Sequence, residues 1–498
     1  MTFLGNVIVV LYGLSLTIIF LYTLIQLHLV VNYLKSRRQK KEIQTYAWPQ
    51  SNEYEYPHVT VQLPVFNESY VVERLIDSVA AFHWPQDKLE IQVLDDSNDE
   101  TVDIVANKVE ALKAQGIDIV QVRRDNREGY KAGALEYGQK VAKGEFIAVF
   151  DADFVPKADF LLNTVHYFND PSIGLVQARW GHINQDYSLM TKVQAFALNA
   201  HFTVEQMGRN KAGYLMNFNG TGGIWRKETI QDAGGWQHDT ITEDLDLSYR
   251  AQLKGWKFHY LEDVVSPAEL PVAMSALKTQ QYRWTKGSAE TARKHMGNVW
   301  SSKLPVAKKL HATSHLLSGG IFLFILTIAI LSVPLLWVKT TDPSLAVFFN
   351  VIGFYSIGLL FWFVFYGSSN LVEKESWKVK GPRLLLMFPL FLSFSMGMSV
   401  HNALAALRGY LRQESPFIRT PKFNITNITD SWKTNKYLVT KMSPITIIEG
   451  ILTLYFVGGI AIAFKTGDFG LAPFHVLLAL GFGSVFSYSI RERFLKLA

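Results

Sequence analysis

Three acidic clusters carry the clearest chemical potential in this chain: Asp95-Asp96, Asp151-Ala152-Asp153 and Glu243-Asp244. Carboxylates one residue apart, as in Asp151 and Asp153, offer hard oxygen ligands to Mg²⁺ or Mn²⁺, which such sites share with substrate phosphates. For any one of these acids, helix capping is the plainer alternative. Lys131 stands in Arg127-Glu128-Gly129-Tyr130-Lys131-Ala132-Gly133-Ala134. A cation at a helix start beside glycines suits a diphosphate, because the backbone can approach closely there. Taken alone, Lys131 reads more simply as a solvated helix residue.

Regular elements must hold these groups. Phe146-Ile147-Ala148-Val149-Phe150, bounded by Gly144 and Pro156, has the composition of a strand buried on both faces. It ends at Asp151. The strand Ile91-Gln92-Val93-Leu94 ends at Asp95-Asp96, and Val59–Leu63 and Ile117–Val122 are further strands. Helical spacing covers 71–82, 100–115 and 131–141 between them. Strands alternating with helices predict a parallel, doubly wound α/β sheet, and such sheets bind ligands beyond their strand ends. Asp95 and Asp96 would there accept hydrogen bonds from a base or ribose. Thr242 is a candidate N-cap for a helix whose first turn holds Glu243, Asp244 and Asp246. The functional alternative for Asp244 is a general base, with Asp246 in reserve. The turn Phe218–Arg226 contains Gly220-Thr221-Gly222-Gly223 but lacks the Gly-Lys-Ser/Thr ending of a Walker loop. Residues 187–207 predict one long helix. Gln280-Gln281-Tyr282-Arg283-Trp284 falls on a basic, aromatic helix over about 272–295, suited to a membrane surface.

Composition limits the alternatives. The chain has 498 residues, 49% hydrophobic, with a net charge of +6 gathered in clusters. That pattern fits membrane orientation and phosphate binding, not nucleic acid. With no cysteine, disulfides, thiolate metal sites and cysteine nucleophiles are excluded. The same absence points to a bacterial source.

Asp95-Asp96-Ser97, Asp151-Ala152-Asp153, Thr242-Glu243-Asp244 and Gln280-Gln281-Tyr282-Arg283-Trp284 occur in this order in an α/β stretch between membrane segments. This resembles the family 2 membrane glycosyltransferases, the group of cellulose, mannan, curdlan and hyaluronan synthases. Asn219–Arg226 and Ala233-Gly234-Gly235-Trp236 look like the plant cellulose-synthase-like A and C branches. The resemblance is strong over 55–300 and looser beyond. It implies a nucleotide-sugar-binding, doubly wound glycosyltransferase A-type domain inserted between transmembrane helices. Residues 1–34 would be an anchor, 55–300 the cytosolic domain ending in an interfacial helix, and 301–498 a multi-span region. By resemblance, Asp95, Asp96, Lys131, Asp151, Asp153 and Arg283 bind the donor, with Mg²⁺ or Mn²⁺ on Asp151 and Asp153. Asp244 is the base, while Gly220, Thr221, Glu243, Gln280 and Trp284 meet the acceptor. The implied activity is inverting, processive transfer of a hexose from a UDP-glucose or GDP-mannose type donor to a growing polysaccharide. A single-sugar transferase making a glycolipid shares these motifs. A transport protein with a degenerate soluble domain is the alternative of another class, opposed by intact Asp153, Asp244 and Arg283.

Residues 7–33, followed by Lys35, Arg37, Arg38, Lys40 and Lys41, form an uncleaved anchor with its basic end in the cytosol. Span-length apolar runs follow at 314–338, 345–369, 445–465 and 471–490. The run 384–411, broken by Pro389 and bearing His401, Asn402 and Arg408, reads as re-entrant or surface-lying, for five full spans. That keeps the basic loop after it, and Arg491-Glu492-Arg493, in the cytosol of a plasma (inner) membrane protein. Within 412–423, Phe417, Thr420 and Lys422 resemble the gating loop of cellulose synthases. Phe361, Trp362, Tyr366, Asn402 and Tyr455 are candidates for an inward-facing glycan track.

Overall fold

The computed structural model describes residues 3–38, 48, 55–341, 345–372, 375–433, 435–438 and 443–495. Lys40 and Lys41 of the basic cluster lie outside them. The chain opens with helix α1 (Phe3–Arg38). An α/β domain follows: β1 (Val59–Val65), α2 (Val72–Ala80), β2 (Leu89–Asp95), α3 (Thr101–Lys113), β3 (Ile119–Val122), α4 (Tyr130–Val141), β4 (Phe146–Val149) and β5 (Ile173–His182). It continues with α5 (Leu189–Ala200), a π turn at His201–Glu205, α6 (Gln206–Lys211), β6 (Gly223–Arg226), α7 (Lys227–Asp232), α8 (Glu243–Leu253), β7 (Lys257–Ala268) and α9 (Met274–Ser301). The helix expected over 187–207 is present over 189–211, with the π turn as one wider turn inside it.

The sheet order is β3-β2-β1-β4-β6-β5-β7. Strands β3, β2, β1 and β4 run parallel, and β7 runs parallel to β5. The fully parallel sheet expected from the sequence is interrupted by β6, which pairs antiparallel with β4 and β5. The chain enters β6 from α6 through the glycine turn, so β6 runs against both of its neighbours. Helices cover both faces. In α2, Val72, Leu75, Ile76 and Val79 recur at helical spacing and are buried in one core with β1, β2 and β4. On the other face, Leu135 of α4, Ile230 of α7 and Leu247 of α8 pack with Ile147, Val149 and Trp225. The end of α1 joins this second core through Val30 and Tyr33, and the Tyr33 hydroxyl donates to Glu262 at 2.9 Å.

Beyond α9 come α10 (Val306–Leu316), α11 (Ile321–Thr341), α12 (Ala346–Tyr355), α13 (Ile357–Ser369), α14 (Trp377–Gly397), α15 (Ser399–Tyr410), α16 (Pro444–Thr466) and α17 (Ala472–Leu495). Among the described residues, six helices are long and apolar enough to cross a membrane, against the expected five. The additional one is α14, the least apolar of the six. The run 384–411 divides at Met398. Its second part, α15, lies along α9: His401 meets the Lys278 carbonyl at 2.8 Å, and a Cβ on Gly409 would sit 2.6 Å from the Lys286 carbonyl oxygen. The segment after α15 therefore emerges on the same side as the α/β domain. Four of the five candidate track residues have protein partners. Trp362 and Tyr366 join an aromatic cluster with Phe196 and Phe391, Phe361 faces Phe20, and the Tyr455 hydroxyl donates to the Ile330 carbonyl. Asn402 is buried.

Candidate active site

One cavity gathers most of the acidic clusters. Its walls are the ends of β1, β2, β4 and β5, the starts of α4 and α8, the first half of α9, and a strap from the segment after α15. Parallel strands bring their carboxyl ends to one edge, which is why acids far apart in sequence meet here.

Asp151, Asp153, Lys131, Gly220, Glu243, Asp244, Gln280, Arg283 and Trp284 all line the cavity. Lys131 donates to Asp151 at 2.6 Å and to the Gly220 carbonyl at 2.8 Å, and stands 3.9 Å from Glu243. Burial works against the Lys131 charge, but Asp151 and then Glu243 outweigh it and hold its pKa above the ordinary value. Gly220 has φ of 79°, and a Cβ there would sit 3.0 Å from Asp244 Oδ2. Any side chain at Gly220 would crowd Asp244.

Asp244 accepts from the backbone N–H of Leu245 at 2.8 Å. Burial pushes its pKa up to about 7, and the Glu243 carboxylate adds to this. Burial also raises Glu243, with Lys131 opposing. Thr242 occupies the N-cap position, but its hydroxyl faces that of Thr291 on α9 at 3.1 Å instead of capping. Asp246 is no reserve base. It is fully buried, with its oxygens taken by Arg250 at 2.9 Å, His295 at 2.7 Å and Lys294 at 2.7 Å. Burial acts the other way, yet these partners hold its pKa well below the usual carboxylate range.

Two expected contacts lie behind the wall. Asp95 is buried, accepting from the Ser97 N–H, Gln121 and Arg123 at 2.8–3.0 Å, so Asp96 alone of that pair faces the cavity. Thr221 is fully buried, and its hydroxyl accepts the Asp151 backbone N–H at 2.9 Å. It braces Asp151 and does not touch the cavity. Both sit one residue from a wall residue, and neighbouring side chains point to opposite sides.

Other groups in the wall or directly behind it have weaker signatures in the sequence. Arg124 forks onto Asp96 at 2.7 and 2.5 Å, and the Arg127 guanidinium lies 3.3 Å over the Phe66 ring. Trp180, at the end of β5, adds an aromatic wall. No local motif marks Arg124. Its place two residues past β3, the strand that neighbours β2, is the signal.

The strap supplies Phe417, Arg419, Thr420 and Lys422. Lys422 pairs with Asp153 at 2.5 Å, Arg419 with Glu68 at 3.4 Å, and Thr420 accepts from Arg283 at 2.9 Å. Phe417 stacks on Tyr130 and lies under Arg283. The three positions that resemble a gating loop thus all touch the cavity. Burial lowers the Arg283 pKa against the pull of Asp151, and its Nε has no protein partner, an arrangement suited to an anion. The cavity measures about 150 Å³ with the strap in this position. A second hollow of about 360 Å³ adjoins it and shares Lys131, Ile241, Glu243 and Phe417.

Asp151 and Asp153 fit a divalent cation: both are wall carboxylates, and each already faces a cationic ammonium. Among the described residues no cluster of three acidic or histidine side chains forms, so the other positions would fall to substrate oxygens and water.

Over residues 57–287 the chain matches the family described as Glycosyltransferase like family 2. Glucomannan 4-beta-mannosyltransferase 9 of Arabidopsis thaliana is 37% identical over 397 residues, 77% of this chain and 71% of that protein. Glucomannan 4-beta-mannosyltransferase 1 of Cyamopsis tetragonoloba is 33% identical over 441 residues, 86% of this chain and 81% of that protein. Among solved structures, the mannosyltransferase PcManGT from Pyrobaculum calidifontis, in complex with GDP-Man and Mn²⁺, shares the fold. Its TM-score is 0.54 at 19% identity, covering 81% of this chain and 99% of that one. The curated relatives are plant proteins, so the bacterial source expected from the missing cysteines has no support from them.

Proposed function

The chain belongs to glycosyltransferase family 2, alongside the glucomannan mannosyltransferases of the cellulose-synthase-like A and C branch, and from that premise we propose an inverting, processive β-glycosyltransferase that extends a polysaccharide at a membrane. The observation that carries this reading is the meeting of Asp151, Asp153, Lys131, Asp244, Arg283 and Trp284 in one cavity. Asp244 takes the proton of the acceptor hydroxyl as its oxygen attacks the anomeric carbon. The bond to the diphosphate breaks in the same step, and Arg283 and Lys131 receive the negative charge that leaves. A single displacement with no covalent intermediate inverts the anomeric centre. A cation on Asp151 and Asp153, when bound, offsets diphosphate charge. Trp284 offers a flat face on which a terminal sugar can stack and slide between additions.

The names of the relatives favour a mannosyl donor of the GDP-mannose type over UDP-glucose. Membranes containing the protein, supplied with a panel of UDP- and GDP-sugars, test this. Incorporation from GDP-mannose is expected. Incorporation from no nucleotide-sugar would remove the enzymatic reading.

The catalytic domain and the strap share the cytosolic side of a plasma membrane. Lys35, Arg37 and Arg38 at the end of α1, and the packing of α15 on α9, support this. In this cysteine-free chain, Lys113→Cys in the domain and Ser431→Cys beyond the strap are both exposed. A membrane-impermeant thiol reagent should label both from the same face. Labelling from opposite faces would show that α14 carries the strap across.

A further inference from the structure

Helix α9 brings Gln280, Arg283 and Trp284 to the cavity, yet nothing near its own start holds its first turn. The preceding residue is Ala273, no side chain caps it, and the first turn contains no acid. The first N–H groups of a helix have no partners within it. Here they are met from 218 residues away: the Glu492 carboxylate, near the end of α17, accepts from the backbone N–H of Met274 and, at 3.0 Å, of Ser275. One turn on, the Lys278 ammonium pairs with Glu449 of α16 at 2.8 Å and donates to Ser489 of α17 at 3.0 Å. Glu449 is fully buried, and Glu492 and Lys278 nearly so.

Both carboxylates sit in helices with the length and composition of membrane spans. Ionisable side chains are costly there and persist where a partner or a role retains them. A negative charge at a helix start is also favourable to the helix dipole. Trp284 lies six residues beyond Lys278, about 9 Å along the axis, so displacement of the first turn carries through to it.

We propose that Glu492 and Glu449 are positioning residues: two membrane-helix carboxylates that clamp the start of α9 and thereby set Arg283 and Trp284 against donor and acceptor. The membrane half is then part of the catalytic apparatus and more than an anchor. This rests on the roles given above to Arg283 and Trp284.

The test uses the full chain in membranes, with turnover, donor KM, nucleoside-diphosphate binding and thermal unfolding measured for each variant. Misplacement of reacting groups by about 1 Å costs on the order of a hundredfold, so even a partial shift in Glu492→Ala should lower turnover about tenfold or more. Donor KM should rise by less than turnover falls, because Arg283 is the donor contact α9 carries and the base and ribose end of the site lies elsewhere. Glu492→Gln keeps a carbonyl acceptor for the helix start and should recover most of the activity. Glu449→Gln, still an acceptor for Lys278, should be milder than Glu449→Leu. Wild-type turnover in Glu492→Ala, with Arg283→Ala inert, overturns the clamp alone. Equal losses of turnover and melting temperature in Glu492→Ala and Glu492→Gln reduce these contacts to fold stability and also overturn it. An active Arg283→Ala overturns the site reading and the clamp with it.

Discussion

Asp244→Asn should bind nucleoside diphosphate like the wild type and turn over on the order of a hundredfold more slowly or worse. That is a barrier increase of about 2.7 kcal/mol. Asparagine keeps the shape and the hydrogen bond from the Leu245 N–H, which an amide oxygen also accepts. What it lacks is the capacity to take a proton from the acceptor hydroxyl. The buried environment shapes the pH dependence as well. With the Asp244 pKa pushed up to about 7, the base is protonated and idle below that pH and ionised above it. The free-enzyme profile, kcat/KM, should therefore rise with pH through about 7 and then level. Asp244→Asn should lose that acidic limb. Near-normal turnover in Asp244→Asn would take the base role from this residue, and Asp246 could not inherit it, locked as it is by Arg250, His295 and Lys294.

Asp153→Ala should abolish turnover, and EDTA should silence the wild type until Mg²⁺ or Mn²⁺ is restored. The two carboxylates after β4 stand one residue apart in the cavity wall, beside Lys131 and Arg283. Asp153 also holds Lys422 of the strap, so a loss in Asp153→Ala alone has two causes to separate. Lys422→Met removes the strap contact and leaves the carboxylate, and should retain its sensitivity to chelation. Titration of Mn²⁺ in the presence of a nucleoside diphosphate gives a second readout, in which Asp153→Ala should lose binding. Full wild-type activity in EDTA would exclude the metal.

The strand ends were legible because their signal is local. Phe146–Val149 is a short apolar run closed by glycine, and the acids after it had to fall on the sheet edge. Asp244 and Asp246 share a first turn, but two residues are about 200° apart on a helix, so one enters the cavity and the other turns to α9. The sequence names both as acids without distinguishing them. The choice between Asp95 and Asp96 was hidden for a similar reason: it depends on which side of the strand end each faces and on Arg123 and Arg124, 28 residues later. Reversal at β6 depends on tertiary pairing with β4 and β5, and the grip of Glu492 on Met274 of α9 spans 218 residues. No periodicity over a short window reports such contacts. The order and spacing of the motifs across more than 180 residues was the part that revealed the family, because each motif marks one wall of the same cavity.

Product length tests the central claim most directly. Wild-type membranes under excess donor should yield long, lipid-free polysaccharide, and Trp284→Ala should shorten or abolish it. A product consisting only of lipid-extractable monoglycoside would contradict polymer synthesis and identify a single-sugar lipid transferase in its place.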